Sequence, residues 1–396
     1  MSFTLTEVFL HTSVNSHSKM KNTLKLAMAA ASAATILASC GKSGQDVLVS
    51  NTSDLARVKE TVEIPFADLK ISDDALTPEN VVVFDFSGKQ VPSQVYTEKD
   101  GEQILVFQAD VAEHSCVKYS VKAGEREDYP VKAYSRHVPE RMDDYAYENN
   151  LVAGRIYGPA LADPRTFGSD VWLKCTERLV IDDWFKKMDY HHNYGEGMDC
   201  YKVANTLGGG AVAPYSGDKL YIGDNWASQE HLCDGPVRTK AYFTYNAFDV
   251  DGRKVSATRE ISLDANSRFV KSTTWFSTDA QDLPVALGAI QHEVLDRVDG
   301  ENWIAFTEVA SDTQQPEIDG NISIGLVLSP AIAPEGTTTI DGHAAIKATV
   351  KTDSPVTVWT ASGWSQGGVE SPQAWAALVK DFAYAQANPL KVEILK

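Results

Sequence analysis

The 396-residue sequence is poor in basic residues. Its 36 Lys and Arg stand against 54 Asp and Glu, which gives a formal net charge of −18. A chain this acidic repels polyanions such as nucleic acid and anionic lipid headgroups. The composition therefore predicts no nucleic-acid partner. A local basic patch that faces an acidic sugar remains compatible with this total.

Cysteine is also scarce, with five residues and no Cys-x-x-Cys pair. The absence of that spacing argues against a structural zinc site. Outside the leader the chain has Cys116, Cys175, Cys200 and Cys233. A chain of this length can bury a sufficient core without cross-links. We expect these four to be small buried residues, with disulfides among them as the alternative.

The apolar run 26–37 falls short of the roughly 20 residues that a membrane-spanning helix needs. Basic residues precede it, and Leu-Ala-Ser-Cys follows it, ending at Cys40. A basic start, a short apolar segment and small residues before a cut are typical of a secretory signal peptide. Leu-Ala-Ser-Cys also matches the lipobox, which predicts cleavage before Cys40 and acylation of its sulfur. We expect residues 1–39 to be upstream residues and signal peptide, and 40–50 to be a tether.

The lipobox predicts a cell-envelope protein whose partner is outer-membrane lipid, held through acylated Cys40. The residues that follow, 41–46, contain no dense acidic run of the kind associated with surface display. We therefore expect an outer-membrane lipoprotein that faces the periplasm.

Long helical periodicity is nearly absent, and short alternating strands with turn residues dominate. In residues 51–124 strand and turn repeat about every ten residues, and Asp100-Gly101 is a strong hairpin signal. The sequence predicts an all-β fold with few helices: a small N-terminal β-sandwich over 51–124, then a large two-layered antiparallel sandwich over 125–396. One helix is expected near the C-terminus, where Ser371-Pro372 supplies an N-cap and a first-turn proline.

The densest group of polar side chains lies in residues 189–202, with two histidines, three tyrosines, three acids and a lysine. His and Tyr can transfer protons, and Lys can neutralise a carboxylate. Residues 198–203 alternate like a strand, which predicts Asp199 and Tyr201 on one face. A hydrogen-bonded surface loop without catalysis is the alternative.

Four residues of this group, His191, His192, Glu196 and Asp199, are also metal-ligand types. Their spacing matches no established metal motif. We predict no metal ligands and no cofactor, and a divalent metal stays open as an alternative.

Residues 134–149 interleave arginines, paired acids and aromatics without apolar periodicity. This pattern fits a solvated linker with ion pairs. It equally fits one wall of a sugar site, where aromatic faces stack on the ring and Arg136 or Arg141 binds an acidic group. Farther along, Trp226 and His231 lie in a turn-rich segment and are candidates to face a cleft, with structural roles as the alternative.

Nine short stretches, in order along nearly all of the chain after the leader, carry a family pattern. They are Arg136-His137-Val138-Pro139-Glu140-Arg141-Met142-Asp143-Asp144, Glu148-Asn149, Arg155-Ile156-Tyr157-Gly158-Pro159, Asp189-Tyr190-His191, Gly195-Glu196-Gly197, Asp199-Cys200-Tyr201-Lys202-Val203, Leu207-Gly208, Gly363-Trp364-Ser365 and Pro389-Leu390. Together they resemble a bacterial family catalogued as domain of unknown function 4861. The chain departs from the family pattern at Asn150, where an Asp would be expected.

The resemblance implies a small sandwich followed by a galactose-mutarotase-like supersandwich, in a carbohydrate-active envelope lipoprotein. It favours β-elimination, by a lyase or dehydratase, on acidic oligosaccharides that contain uronic acids. Elimination needs a base, an acid for the departing oxygen and a cation for the uronate carboxylate. The expected catalytic residues are His191 or His192 as base, Tyr190 or Tyr201 as acid, and Lys202 beside the carboxylate, with Arg141 or Arg136 as the alternative cation. The expected substrate-binding residues are Arg136, Arg141, Asp144, Glu148, Arg155, Glu196, Asp199 and Trp226.

Two other functions remain open at this point. A glycoside hydrolase would use two carboxylates at a defined separation, and the chain has many candidate acids. A glycan-binding lipoprotein without catalysis would use the same aromatic residues. The concentration of His, Tyr and Lys in residues 189–202 favours an enzyme, because a stacking platform needs aromatic rings but no proton transfer.

Overall fold

The computed structural model describes residues 44–69, 76–187, 189–310, 312–313 and 315–395. These residues form five β-sheets in which neighbouring strands are antiparallel, together with three α-helices. The predicted all-β fold with few helices is confirmed. The predicted signal peptide and Cys40 lie outside the described residues. Within those residues no helix is long and apolar enough to cross a membrane.

The strands have the following bounds in chain order. They are β1 (Gln45–Asn51), β2 (Arg57–Pro65), β3 (Val81–Phe84), β4 (Gln90–Val91), β5 (Ser93–Thr97), β6 (Gln103–Val111), β7 (Ser115–Ala123), β8 (Ala133–Val138), β9 (Asp144–Asn149), β10 (Ala153–Ile156), β11 (Asp170–Lys174), β12 (Gly197–Asp199), β13 (Ala211–Ser216), β14 (Lys219–Leu220), β15 (Ser228–Cys233), β16 (Arg238–Val250), β17 (Arg253–Asp264), β18 (Phe269–Ser277), β19 (Asp282–Ile290), β20 (Val294–Asp299), β21 (Trp303–Val309), β22 (Asn321–Leu328), β23 (Pro334–Ile340), β24 (His343–Lys351), β25 (Pro355–Trp364) and β26 (Lys391–Ile394).

The helices are few and mostly short. They are α1 (Ile181–Trp184), α2 (Pro316–Asp319) and α3 (Pro372–Ala387), with 3-10 turns at Phe66–Asp68, Pro139–Arg141 and Ser365–Gly367. The longest, α3, is the predicted C-terminal helix. Its N-cap residue Ser371 accepts a hydrogen bond of 3.1 Å from the Ala374 N–H through its hydroxyl, as the sequence predicts.

The first sandwich consists of a five-stranded sheet in the order β26-β1-β7-β3-β4 and a three-stranded sheet in the order β2-β6-β5. Alternate residues such as Val47 and Val49 of β1 enter the core between them. Two segments differ from the sequence expectation. The expected tether 40–50 already contains β1 from Gln45, and β26, expected in the second region, pairs with β1 in this sandwich. Strand β26 has four residues, too few to show an alternating pattern, and the seven-residue β1 has this partner at the opposite end of the described residues, so no local pattern indicates the pairing.

Three sheets share the second and larger core. The widest has eight strands in the order β15-β16-β17-β18-β25-β22-β21-β20, and a five-stranded sheet has the order β14-β13-β19-β24-β23. Successive residues of the wide sheet alternate between two cores. Val270 and Val358 enter the main core, whereas Phe269 and Ala361 lie on the outer face beneath α3.

The third sheet, in the order β12-β11-β10-β9-β8, positions the candidate site. On one face Tyr145, Tyr147 and Ile156 enter the main core. The residues between them point to the opposite face because strand side chains alternate. That opposite face carries most of the charged residues of the sheet and is called the charged face below; its charged members are Arg136, Asp144, Glu148, Arg155, Asp170, Lys174 and Asp199.

Candidate active site

Arg155 lies at the centre of the charged face and binds carboxylates from three neighbouring strands. Its Nε donates to Oδ2 of Asp170 at 2.8 Å, and its Nη2 donates to Oδ2 of Asp199 at 2.9 Å. The nearest oxygen of Asp144 lies 3.5 Å from Nη1. Asp170 is the direct cross-strand neighbour of Arg155, so sheet register brings this pair together. All four residues are buried.

One guanidinium faces three carboxylates in this buried space. Burial raises the pKa of Asp144 and of Asp170, and Arg155 opposes both shifts. Burial and the adjacent Asp170 carboxylate raise the pKa of Asp199 well above its usual range, which Arg155 only partly offsets. Of the three acids, Asp199 is therefore the one whose charged form is least favoured by its surroundings.

Tyr190 covers this cluster and binds two arginines. Its phenolic oxygen accepts a hydrogen bond of 2.9 Å from Nη1 of Arg155 and one of 3.1 Å from Nε of Arg141. Two positively charged donors thus converge on one oxygen, and the hydroxyl hydrogen of Tyr190 is left to donate elsewhere. Charge-assisted donors in this arrangement stabilise negative charge that develops on the oxygen during a reaction.

His191 lies beside Tyr190, with 4.7 Å between the ring centroids. Its Nδ1 lies 2.9 Å from the carbonyl oxygen of Asp199. A carbonyl oxygen only accepts, so we assign the hydrogen of the neutral ring to Nδ1. Nε2 then carries the lone pair, and the side chain is 52% exposed. His191 is therefore arranged to accept a proton from a ligand.

The turn between β8 and β9 holds Arg141. It comprises the 3-10 turn Pro139–Arg141 and then Met142 and Asp143, which have left-handed φ angles of 52° and 62°. Non-glycine residues rarely adopt this conformation, and such strain concentrates at functional sites. Gly158 packs against the turn, because a Cβ there would lie 2.0 Å from the Asp143 carbonyl oxygen. A larger residue at this position would displace the turn that carries Arg141.

A short covering segment, residues 180–187 and 189–194, lies over the charged face. Glu148 anchors its start, since its carboxylate accepts hydrogen bonds of 2.8 Å from the N–H groups of Val180 and Ile181. The same carboxylate pairs with Lys174 at 2.9 Å. Trp172, on the sheet below, stacks with Trp184 of the segment at 5.5 Å. Glu148 thus fixes the segment in which Tyr190 and His191 stand.

The structure brings together six of the predicted site residues: Arg141, Asp144, Arg155, Tyr190, His191 and Asp199. Glu148 supports them from the same sheet. Arg136 lies on the exposed edge and pairs with Asp182 at 2.6 Å and Glu140 at 2.7 Å. Glu196 pairs with Arg178 at 2.8 Å. These last two residues make surface ion pairs.

The remaining predicted residues lie outside this group. His192 packs against Tyr194, and Trp226 is buried beside His137. Tyr201 is buried, and its hydroxyl donates to the carbonyl oxygen of Ile290 at 2.6 Å. The predicted strand 198–203 was too long, because β12 ends at Asp199 and the chain then leaves the sheet. Tyr201 therefore enters the core, and the side chain of Lys202 is exposed.

Asp170, which belongs to the Arg155 cluster, and the His292–Glu308 pair, which lies beside Lys202, were not predicted from the sequence. Asp170 binds Arg155, and His292 pairs with Glu308 at 2.6 Å while its Nε2 lies 2.9 Å from the Lys202 carbonyl. None of the three stands in a polar cluster of the sequence. Asp170 had one usable signal, the alternation Asp170-Trp172-Lys174, which places it on the charged face.

Four cysteines lie among the described residues. Cys116, Cys175, Cys200 and Cys233 are all free, but only Cys200 and Cys233 are buried, so the expectation of four buried residues was wrong for the other two. Among the described residues no group of three His, Cys, Asp or Glu side chains is placed to hold a metal.

The segment Gly363–Gly367 has the spacing Gly-x-Ser-x-Gly, and its Ser365 directly follows strand β25, as a nucleophilic serine follows a strand in one class of hydrolases. In this chain Oγ of Ser365 accepts a hydrogen bond of 3.0 Å from the Asn321 N–H. In the described part of the chain no histidine hydrogen-bonds to Ser365. The motif therefore serves as a structural turn.

Comparison with known proteins gives a family and a fold. A family model described as a domain of unknown function (DUF4861) matches residues 49–392. The "Uncharacterized protein P7" of Formosa agariphila is 28% identical over 409 aligned positions, which cover 95% of this chain and 100% of that protein.

Two solved structures from Enterococcus faecalis are similar in fold. One is a protein in the glycosyl hydrolase family 38, with a TM-score of 0.50, and the other is an alpha-mannosidase, with a TM-score of 0.51. Each is 11% identical and matches 89% of this chain. The chain spans slightly less than half of their lengths, 47% and 46%. At this identity the likeness concerns the fold alone.

Proposed function

The chain belongs to the family described as a domain of unknown function (DUF4861), and from that premise we propose that it is a carbohydrate-active lipoprotein that cleaves acidic oligosaccharides by β-elimination at a uronic acid. One observation carries this proposal. Arg141, Tyr190 and His191 meet at the rim of a buried charged cluster, with a cation, a hydroxyl and an imidazole lone pair next to one another.

Each of the three residues matches one requirement of elimination. The Arg141 guanidinium, which has no carboxylate partner among the described residues, binds the uronate carboxylate and makes the C5 proton more acidic. Nε2 of His191 removes that proton. The hydroxyl of Tyr190 donates its proton to the oxygen that leaves C4, and the Arg141 and Arg155 donors stabilise the charge left on Tyr190.

The bonds balance without an oxidant or a co-reactant. The C5–H electron pair becomes the second bond between C4 and C5, and the C4–O bond breaks. The departing oxygen takes the proton from Tyr190, and His191 retains the proton from C5. Transfer of a proton between these two residues, or with water, restores both groups. The products are a 4,5-unsaturated uronate and a free hydroxyl, or water when the leaving group is a terminal hydroxyl.

Burial of the carboxylates supports elimination over two-carboxylate hydrolysis. A hydrolase of that type needs two carboxyl groups that both reach the glycosidic bond. Asp144, Asp170 and Asp199 are at most 2% exposed, and all three lie around Arg155 beneath Tyr190. Their geometry suits them to position Arg155 and, through it, Tyr190.

The proposal also places the protein in the cell envelope. The tripartite leader and the Leu-Ala-Ser-Cys sequence support acylation at Cys40. The residues after Cys40 support a periplasm-facing position at the outer membrane. In that compartment the substrates would be short acidic oligosaccharides.

Product mass tests the reaction class. The purified protein is incubated with oligogalacturonate and oligoalginate, and the products are analysed by mass spectrometry. Elimination within the chain yields a fragment one water lighter than its hydrolytic counterpart, and dehydration of a terminal sugar yields the whole chain minus one water. Fragments of hydrolytic mass would overturn elimination, and tight binding without any product would assign a binding function.

A further inference from the structure

A groove of about 580 Å3 lies apart from the candidate active site and shares none of its residues. One wall is strand β2 of the small sandwich. The floor is the outer face of the eight-stranded sheet, and the other wall is helix α3 with the segment that follows it. Its volume falls within the range of roughly 300–1,000 Å3 that small-molecule sites occupy. The side chains that line the groove determine which ligand it can recognise.

The acidic residues of the groove each have a basic partner. Glu60 pairs with Arg57 at 2.9 Å. Glu63 and Asp264 both pair with Arg238, at 2.7 Å and 2.6 Å. Arg57 balances the charge of Glu60. Arg238 offsets one of the two charges of Glu63 and Asp264, so the acids repel an anion less than free carboxylates would.

Two cations of the groove, Arg268 and Lys271, make no direct ion pair within the described ranges, and Lys271 is near enough to Glu63 for its charge to help lower the pKa of that acid. Arg268 is half-buried, and its Nη2 donates to the carbonyl oxygen of Gly367 at 2.5 Å. Burial lowers the pKa of Arg268, and no nearby acid opposes that shift. A half-buried guanidinium without a carboxylate is unusual in a chain with a net charge of −18. An anionic ligand would supply the missing partner.

Aromatic rings lie next to these cations. Trp359 is the direct cross-strand neighbour of Lys271, so their side chains share the outer face of the sheet. Phe382 of α3 stacks on Phe269 at 3.6 Å and meets Trp359 edge-on at 5.8 Å. Trp359 and Phe382 are both half-buried, which leaves part of each ring towards the groove. A half-exposed aromatic ring offers an apolar face to a sugar ring and fixes its orientation.

We propose that this groove is a second binding site for an acidic oligosaccharide, with the anionic group on Arg268 and Lys271 and a sugar ring against Trp359. The amide side chain of Gln386 lines the same groove and can bond sugar hydroxyls, whereas the amide of Asn266 is already bonded to Gln108 and Asn150. The anionic group is a carboxylate or a sulfate ester, since both suit a guanidinium. The ligand class follows from the groove itself and does not require that elimination occurs at the candidate active site.

Calorimetric titration of the full chain tests the proposal. Every titrated protein carries His191→Gln, so that the probes are not turned over during the titration. The probes are a tetragalacturonate, a sulfated galactan tetrasaccharide and its desulfated form. We expect one of the two acidic probes to bind and the neutral probe to bind at least tenfold more weakly. Arg268→Gln and Lys271→Gln should each weaken binding by about tenfold, which corresponds to loss of one charge-assisted contact.

Lys347→Gln is the matched control, because Lys347 is also a half-buried strand lysine without an ion pair among the described residues and lies outside the groove. It should bind as the parent does. Arg268→Lys keeps the charge and should retain most of the affinity, and thermal unfolding checks that every variant is folded. The proposal is overturned if no probe binds, if the neutral probe binds equally well, or if Arg268→Gln and Lys271→Gln bind like the parent.

The same experiment separates this site from the proposed function. A loss of affinity in Arg141→Gln alone would assign the binding to the candidate active site and overturn the groove. Arg268-dependent binding by a wild-type protein that forms no unsaturated product would support the groove and contradict elimination.

Discussion

The phenolic oxygen of Tyr190 lies 2.9 Å from Nη1 of Arg155, a guanidinium that is itself buried among three aspartates. This contact joins a half-buried group to a buried charged cluster. Removal of the hydroxyl therefore affects a proton donor at the rim without opening the sheet below it.

Tyr190→Phe should reduce turnover of a uronate oligosaccharide by roughly 100- to 10,000-fold, as expected for loss of one proton-transfer group. The free energy of unfolding should fall by about 2–4 kcal/mol, because the lost oxygen accepts hydrogen bonds from two arginines. Steady-state kinetics and urea unfolding measure the two effects. Tyr194→Phe is the control, since Tyr194 is 57% exposed, and it should keep its activity. Equal activity of both variants would remove Tyr190 from the mechanism.

Arg155→Met should destabilise the fold by about 3–5 kcal/mol, because it leaves the carboxylates of Asp170 and Asp199 buried without their partner. Urea unfolding gives the difference. Arg165→Gln is the control, because the Arg165–Asp224 pair is 50% and 40% exposed and should contribute less than about 1 kcal/mol. A similar small loss in both variants would show that Arg155 does not hold the charged face together.

His292 should make stability depend on pH. Burial opposes its charge, but the hydrogen bond and charge of Glu308 outweigh burial and raise the pKa of His292 above 6.5. A raised pKa means that the folded state binds the proton more tightly. The contribution is therefore complete below the unfolded pKa of about 6.5 and is lost as the pH rises through the folded pKa.

The measurement is the unfolding free energy of wild type minus His292→Gln, at about pH 5.5 and again near pH 9. The difference should be larger at the lower pH. His114→Gln removes an exposed His–Asp pair, with side chains 60% and 85% exposed, and should change the free energy of unfolding by less than about 1 kcal/mol. A difference that grows with pH would contradict the ion pair.

Thiol counting tests the cysteine assignment and the anchor together. In the folded protein Cys116 and Cys175 should react with a thiol reagent, while Cys200 and Cys233 should react only after unfolding. Protein extracted from membranes should then show these four thiols in denaturant and no fifth, because acylation would block Cys40. A fifth thiol would contradict the anchor, and fewer than four would indicate a disulfide. Cys200→Ala should lower only the denatured count.

The parts of the fold with long local sequence patterns could be predicted from the sequence. The alternating strands and the capped start of α3 predicted an all-β chain with one C-terminal helix. Strands β1 and β26 were missed as partners because β26 has only four residues and because their pairing joins opposite ends of the described chain. Pairing at such a separation leaves no local signal in the sequence.

The candidate site was predictable where its residues stand close together in the sequence. Tyr190, His191 and Asp199 stand in one dense polar segment, so composition identified them. Asp170 reaches Arg155 through sheet register, and a lone aspartate gives no composition signal. Tyr201 was placed beside Asp199 because strand alternation was assumed to continue, whereas β12 ends at Asp199.

The most direct test of β-elimination is the ultraviolet absorbance of the conjugated 4,5-unsaturated uronate. Wild type, His191→Gln and the Arg165→Gln control are compared on the same uronate oligosaccharide. The account predicts a steady rise for wild type and Arg165→Gln, and a rate lower by roughly 100-fold or more for His191→Gln. An unchanged rate in His191→Gln, or new reducing ends from wild type without any rise in absorbance, would contradict it.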